Sequence, residues 1–245
     1  TKLREFIAAI QDNEDISDLL SEETQEFITK IENLPRETDS TSESDVRYEA
    51  LLRRIIAHIG GSIQTHTLGD ETVKYIDEKS TLTNIWFIKI FRTMIENRWG
   101  MTINERDDDG GEEQDEAAAE VMDTLNECGV TTVCLDLLGK GVNEQLQAEA
   151  IKLIVALLFK EGGALSVQTT IYETLSRPGT DLFFLHMRSM LQNLMSWHKW
   201  QGVITLEGDE EPELPEEIIL VRMLQLTCEG HYLPNQDIMR DQPNN

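Results

Sequence analysis

An acidic stretch, NERDDDGGEEQDE at residues 104–116, has the residue types and part of the spacing of a calcium-binding loop. Five residues fall at positions 1, 3, 5, 6 and 12 of that loop: Glu105, Asp107, Asp109, Gly110 and Glu116. However, position 1 should be aspartate, position 8 is Glu112 where an apolar residue is expected, and Gly100 breaks the helix that should lead in. We therefore predict a solvent-exposed acidic loop that gathers divalent ions loosely, in preference to an EF-hand.

A second candidate metal ligand is Glu229, in the segment LQLTCEGH at residues 224–231. Apolar spacing predicts a helix that closes on this glutamate, just before Gly230. A carboxylate is mildly unfavourable at the negative end of a helix dipole. A residue that breaks a local rule often serves something other than stability. From these residues alone, Glu229 is either a ligand or a solvated terminal carboxylate.

The other reactive side chains form no zinc-binding or catalytic motif. Five histidines pair neither with each other nor with cysteines at a zinc spacing: His58, His66, His186, His198 and His231. Cys128 and Cys134 are predicted to lie in the cores of adjoining helices, and with Cys228 they make an odd number that favours reduced thiols. Phosphate-loop, dinucleotide-binding and nucleophile-elbow motifs are absent. We predict no enzymatic activity, which would need a convergent pair of perturbed titratable groups.

The charge of the chain narrows the range of partners. Its formal net charge is −25 over 245 residues, which argues against nucleic acid or an anionic membrane and favours metal cations or basic protein surfaces. No apolar run approaches the roughly 18 residues of a membrane span, so we predict no membrane contact by this segment. The chain begins with Thr1 instead of methionine, and we expect it to be a piece of a longer protein.

The elements that position these residues are predicted to be helices, because apolar residues recur with a period of 3.6 almost everywhere. Residues 2–11 and 22–35 form short predicted helices, and a longer one covers 46–68 with Gly60 and Gly61 as a break or tight packing point. The next helix, residues 81–99, has an apolar face wide enough to be buried between two neighbours. Five further helical pieces, separated by Gly or Pro-Gly, cover residues 117–200.

Short antiparallel helices with small-residue turns predict an all-α fold, an armadillo-like or HEAT-like helical solenoid with acidic loops. We divide the chain into a helical-repeat block at 1–103, an acidic loop at 104–116, a second block at 117–201, an acidic linker at 202–215 and a terminal helical region at 216–245. One stripe of large side chains is interpreted as core in preference to a partner-binding groove: Phe183, Phe184, Met187, Met190, Met195, Trp197 and Trp200.

The terminal segment VRMLQLTCEGHYLPNQDIMRDQPNN resembles a segment of inositol trisphosphate receptors and ryanodine receptors. That family pattern runs F-L-Q-L-L-C-E-[NG]-H, then Q-N, an aromatic-Leu-Arg and Q-x-x-N. The matching residues are Leu224, Gln225, Leu226, Cys228, Glu229, Gly230, His231, Gln236, Arg240, Gln242 and Asn245. Upstream, AIKLIVALLFKEGGALSVQTTIYETL and DLFFLHMRSM are similar to the family's L-L-x-G-G-N-x-x-V-Q run and its sequel. The resemblance extends from about Leu82 to Asn245, and Thr227, Pro234 and Asn235 depart from it.

This resemblance implies a cytosolic regulatory segment of a homotetrameric calcium-release channel of the endoplasmic or sarcoplasmic reticulum. The segment FIKIFRTMIEN looks like the inositol trisphosphate receptor branch, whereas the glycine of CEGH is closer to the ryanodine receptor branch. In the family, the glutamate at the position of Glu229 is an activating calcium ligand, and the remaining ligands would lie outside this chain. Gln225 and His231 are then expected to be structural neighbours. Another function stays open: a stand-alone helical-repeat adaptor that binds basic protein partners.

Overall fold

A computed structural model describes residues 22–38, 46–68, 71–99, 112–159, 163–204, 218–230 and 232–241. In these residues it contains ten helices and one hairpin. The helices are α1 (Glu22–Glu32), α2 (Tyr48–Gly61), α3 (Glu78–Trp99), α4 (Glu112–Glu127), α5 (Val130–Lys140), α6 (Glu144–Leu158), α7 (Leu165–Leu175), α8 (Asp181–Ile204), α9 (Ile218–Cys228) and α10 (Leu233–Arg240). The strands are β1 (Gln64–Leu68) and β2 (Glu71–Tyr75). The described chain is mainly helical, as predicted.

The five helical pieces predicted over residues 117–200 are confirmed as α4 to α8. Local signals set their ends. The Asn143 side chain accepts a hydrogen bond from the backbone N–H of Leu146 at 2.9 Å and caps the start of α6. Gly141, with φ of 62°, ends α5 in the left-handed conformation that glycine adopts without a Cβ penalty. These signals are local in sequence, so periodicity and turn residues were enough to predict the helices.

The predicted helix over residues 46–68 is wrong beyond Gly61, where α2 ends. Gln64–Leu68 and Glu71–Tyr75 instead pair as antiparallel strands, with Gln64 opposite Tyr75 and Leu68 opposite Glu71. QTHTL and ETVKY alternate and contain β-branched residues, and only Gly69 and Asp70 separate them in sequence. That combination is a hairpin signal, which here outweighs the helical period carried over from α2.

Described helices extend into both predicted acidic segments. Helix α4 begins at Glu112, so the last five residues of the predicted 104–116 loop are helical. Helix α8 continues to Ile204, three residues into the predicted 202–215 linker. Acidic residues are favourable in the first turn of a helix, which accounts for the start of α4 within an acidic run. The predicted helix over residues 2–11 and positions 1 to 6 of the calcium-loop template lie outside the described residues.

One continuous hydrophobic core joins the two predicted helical blocks. Helix α3 is central to this core. It packs against α1 and α2, which precede it in the chain, and against α4 and α6, which follow it. Its buried apolar residues are Ile85, Trp86, Phe87, Ile88, Ile90, Phe91, Met94, Ile95 and Trp99. The predicted burial of this helix between neighbours is therefore confirmed. None of the described helices combines the length and apolarity needed to cross a bilayer.

Candidate functional site

The candidate site is built by α9, a two-residue reversal and α10. Helix α9 ends at Cys228, and the backbone N–H of Glu229 still bonds the carbonyl oxygens of Gln225 and Leu226, each at 3.1 Å. Gly230 has φ of 69°, which turns the chain after the helix. The predicted end of the helix at this glutamate is therefore confirmed to within a residue. Helix α10 follows, a helix that periodicity had not predicted.

The Glu229 carboxylate has two neighbours on its own helix. Its Oε1 accepts a hydrogen bond from Gln225 Nε2 at 2.7 Å and lies 3.8 Å from Arg222 Nη1. Arg222 supplies the positive charge that offsets the unfavourable helix dipole at this end. Oε1 therefore has partners within its own helix, in addition to any ligand or solvent it contacts. Gln225 is a structural neighbour, as the resemblance implied, and His231 lies outside the described residues.

The side chain of Glu229 is 33% exposed, so solvent and ions can reach it. Calcium takes six to eight oxygen ligands, of which one carboxylate supplies at most two. The described part of the chain contains no group of three or more His, Cys, Asp or Glu residues placed to hold a metal. Calcium binding at Glu229 stays a prediction, and it requires ligands from outside these residues.

Helix α10 is anchored by a buried amide pair that the sequence did not reveal. The side-chain Nδ2 of Asn235, fully buried, donates to the backbone oxygen of Gln168 at 3.1 Å and to its side-chain Oε1. Gln168 Nε2 in turn donates to the carbonyl oxygen of Leu226 at 3.4 Å. Gln236 Nε2 closes the unit by donating to the carbonyl oxygen of Cys228 at 2.8 Å. Helices α7, α9 and α10 are thereby hydrogen-bonded to one another beside Glu229.

The three residues that depart from the family pattern all have structural roles at this junction. Thr227 is buried and donates its hydroxyl to the carbonyl oxygen of Met223 at 2.8 Å. Pro234 lies in the first turn of α10, where its missing N–H costs no helical hydrogen bond. Asn235 is fully buried and donates hydrogen bonds to Gln168. The departures therefore fit this packing.

A groove of about 540 Å³ lies beside the junction, between α8, α9 and α10. Its walls are mainly apolar and include Met187, Leu191, Leu224 and Met239. The residues of the stripe that was predicted to be core differ in their burial. Phe183, Phe184 and Met187 are buried as predicted, whereas Met195 is 60% exposed at the groove. The side chains of Trp197 and Trp200 lie outside the described residues.

The structure describes the surroundings of all three cysteines and of two histidines, His58 and His186. Cys128 and Cys134 are buried in the core, as predicted, and Cys228 is half-buried at the groove. Burial raises the pKa of the Cys134 thiol to about 12. His186 Nδ1 lies 3.0 Å from the carbonyl oxygen of Leu138, and His58 packs edge-on against the ring of Phe87.

A buried ion cluster between α3 and α6 was also missed by sequence reasoning. Glu149 Oε1 accepts from Lys152 Nζ at 2.9 Å, and Glu149 Oε2 lies 3.4 Å from Arg92 Nη2. Glu149 sits among apolar residues in EQLQAEAIKLIVALL, and that unexpected charge was the only available signal. Arg92 is 57 positions away in sequence, so the pairing depends on how α3 and α6 pack.

Comparison with models of known protein families gives no match for this chain. Comparison with curated proteins gives none either.

Proposed function

We propose that this chain is a cytosolic regulatory segment of a homotetrameric calcium-release channel in the endoplasmic or sarcoplasmic reticulum, similar to the inositol trisphosphate receptor branch. In this proposal the helices form part of an armadillo-like solenoid, and Glu229 contributes to an activating calcium site. The chain itself carries no catalytic activity.

The observation that carries the proposal is the junction of α7, α9 and α10. Two of the segments that resemble the family pattern, ALSVQTT and LQLTCEGH, lie about 60 positions apart in the sequence. Gln168 from the first bonds the carbonyl oxygen of Leu226 from the second, and Gln236 bonds that of Cys228. Proximity of the two segments is what a shared structural unit requires. The proposal therefore places both segments in one unit that includes Glu229.

The proposed mechanism follows from the incomplete ligand set around Glu229. Calcium would bind tightly only when a neighbouring part of the channel brings further oxygen ligands to this helix end. Binding would therefore stabilise the conformation in which the two parts approach each other. Because α9 and α10 are fastened to α7 by buried hydrogen bonds, movement of this end would be transmitted to the helical core.

The test is the calcium dependence of channel opening by the full-length protein in a planar bilayer, with the wild type beside Glu229→Gln. Loss of one charged ligand should raise the calcium concentration for half-activation by on the order of tenfold. Glu173→Gln, at an exposed glutamate of α7, makes the same charge change and should leave the curve in place. We expect Glu229→Gln to alter the unfolding free energy of the chain by no more than about 0.5 kcal/mol.

An unchanged activation curve for Glu229→Gln would remove this residue from the calcium sensor. A large loss of stability would make Glu229 structural, acting through Arg222 and Gln225. A full-length protein without membrane spans would refute the channel proposal.

The groove between α8, α9 and α10 favours one other function, an adaptor that binds a basic amphipathic helix. Methionines such as Met187, Met195 and Met239 can accommodate varied apolar side chains, and the chain's net charge of −25 suits a basic partner. Fluorescence anisotropy of a labelled basic amphipathic peptide tests it. Leu224→Asp should abolish binding in the groove, whereas Leu165→Asp, at an exposed site on α7, should not.

A further inference from the structure

A second cavity, of about 130 Å³, lies at the opposite end of α8 from the acidic linker. Strand β2 contributes Lys74 to its lining, and α5 contributes Asp136 and Lys140. The end of α7 contributes Thr174, and the first turn of α8 closes the cavity beyond Thr180. Four elements distant in sequence therefore surround one small space.

Two lysines and one aspartate line this cavity, in a chain where acidic residues outnumber basic ones by 46 to 21. Asp181, in the first turn of α8, adds a second acidic residue beside it. Lys74 has no ion-pair partner among the side chains that the structure describes. Lys140 Nζ is 3.9 Å from Asp136 Oδ2, a loose pair at the limit of an ion pair. The side chain of Asp136 is 54% exposed, so it can turn to solvent and release Lys140.

A buried hydroxyl group at the cavity has no partner. Thr174 is 3% exposed, and its Oγ1 makes no hydrogen bond within the described part of the chain. Two other threonines of α7 behave differently, since Thr169 and Thr170 donate to the carbonyl oxygens four residues earlier at 2.8 and 3.0 Å. An unpaired buried hydroxyl costs about 1–3 kcal/mol, and a bound acceptor would remove that cost.

The start of α8 adds two backbone donors, the N–H groups of Asp181 and Leu182, because the first N–H groups of a helix have no acceptor inside it. The next N–H group, that of Phe183, already donates to the Thr180 carbonyl oxygen at 2.9 Å. Competing acceptors from the neighbouring helix ends are already engaged. The Leu175 carbonyl oxygen accepts from the Thr180 hydroxyl at 2.7 Å, and that of Leu138 is bonded by His186. The Thr174 carbonyl oxygen accepts from the Arg177 N–H at 3.3 Å. The donors available at the cavity are therefore the two lysines, the Thr174 hydroxyl and the first N–H groups of α8.

We propose that this cavity binds a single phosphate group, held by Lys74, Lys140, the Thr174 hydroxyl and the N-terminus of α8. Donors of four different origins match the three or four oxygens of a phosphate better than the two of a carboxylate. A helix N-terminus also favours a doubly charged anion. The cavity is smaller than the roughly 300 Å³ at which pockets for drug-sized ligands begin, so any remainder of a larger molecule would lie outside it.

The test is isothermal titration of the 245-residue chain with inorganic phosphate and, separately, with phosphoserine, against acetate. Lys74→Gln and Lys140→Gln should each weaken phosphate binding about tenfold, since each removes one charged donor. Asp136→Asn should tighten it, because the competing carboxylate is gone. Lys30→Gln, at an exposed lysine of α1, makes the same charge change far from the cavity and should have no effect.

Tighter binding of phosphoserine than of inorganic phosphate would identify a phosphate monoester as the ligand, and the reverse order would identify free phosphate. Either result supports the proposal. Three results would overturn the proposal. Lys30→Gln could weaken phosphate binding as much as Lys74→Gln and Lys140→Gln do, acetate could bind as tightly as phosphate, or the titration could show no heat of binding. Circular dichroism of each variant separates lost binding from lost folding, and Thr174→Val, which keeps the side-chain shape, should weaken phosphate binding without altering the spectrum.

Discussion

Asn235 and Gln168 decide how the last helix is attached, and they do so with polar groups inside a packed junction. Asn235 is fully buried and Gln168 nearly so, and the Asn235 side-chain N–H donates to the backbone and side-chain oxygens of Gln168, while the Asn235 Oδ1 has no hydrogen-bond partner among the described residues. A buried amide without its partner loses its hydrogen bonds to water and recovers none. The pair is therefore specific in a way that an apolar contact at the same place would not be.

Removing one member of this pair should cost more stability than removing both. We expect Asn235→Leu to lower the unfolding free energy by about 1–3 kcal/mol, because Gln168 keeps its desolvation penalty. The double variant with Gln168→Leu should recover part of that loss. Urea denaturation of the two single variants and the double variant gives the coupling free energy of the cycle. Additive losses would mean that the two amides do not depend on each other.

Two glycines with positive φ provide a matched comparison of backbone strain and steric contact. Gly163 has φ of 73° and Gly179 has φ of 89°, so alanine at either position would occupy the left-handed region. A Cβ at Gly179 would meet nothing within 4 Å. A Cβ at Gly163 would collide with the backbone oxygen of Leu157.

Gly179→Ala should therefore cost only the left-handed penalty, about 1–2 kcal/mol. Gly163→Ala should cost at least about 1 kcal/mol more, because backbone atoms of α6 must move. Thermal and urea unfolding of the two variants would measure the difference. Equal losses would mean that the turn before α7 relaxes without cost.

At the scale of elements, the start of α3 depends on one capping aspartate. Asp77 Oδ1 accepts from the backbone N–H of Ser80 at 2.9 Å, and Oδ2 accepts from its hydroxyl at 2.6 Å. These hydrogen bonds, from the Ser80 side chain first and its backbone second, hold the pKa of Asp77 below its ordinary value of 3.8. A lowered pKa in the folded state means that the ionised form stabilises the fold.

The contribution of Asp77 should be present at neutral pH and disappear in acid. Asp77→Ala is expected to lose about 1 kcal/mol at pH 7. The gap between wild type and variant should close as the pH falls below 3.8 and through the lowered folded-state pKa. Asp77→Asn is the control, because asparagine caps equally well without titrating. Urea unfolding at a series of pH values measures the stability of the wild type and of both variants. A difference between wild type and Asp77→Ala that stays constant with pH would contradict a contribution from the charged cap.

At the scale of the whole molecule, excess negative charge opposes the compact state. Only 21 Lys and Arg residues accompany 46 Asp and Glu residues. Self-repulsion of this kind acts across the molecule and is screened by salt, with a Debye length of about 30 Å at 0.01 M and about 10 Å at 0.1 M. Raising sodium chloride over this range should therefore stabilise the fold.

If screening by salt raises the unfolding free energy by about 1 kcal/mol, the melting temperature should rise by about 2–4 °C for a chain of this size. Differential scanning calorimetry in sodium chloride and in potassium chloride checks that the effect follows ionic strength. A melting temperature that falls with salt would mean that ion pairs such as Glu149 with Arg92 and Lys152 outweigh the general repulsion.

The helices were predictable because each one is encoded by its own residues. A period of 3.6 and glycines at the ends predicted α4 to α8, and the same reasoning located the end of α9 beside Glu229. It failed at Gln64–Tyr75, where a short alternating pattern competed with the end of a strong helix. Helix α10 lies inside the terminal helical region predicted at 216–245, but its bounds were not predicted, because eight residues offer too few repeats to establish a period.

The sequence by itself determined the helical class, most helix positions and the acidic character that limits the partners, since each depends on composition or on neighbours within a few residues. Only the tertiary structure decided which distant groups meet. Asn235 and Gln168, which are hydrogen-bonded, are 67 positions apart, and Lys74 and Thr174, which line one cavity, are 100 positions apart. Such contacts depend on the packing of whole helices, because many packings satisfy the same apolar faces and only one brings these polar groups together.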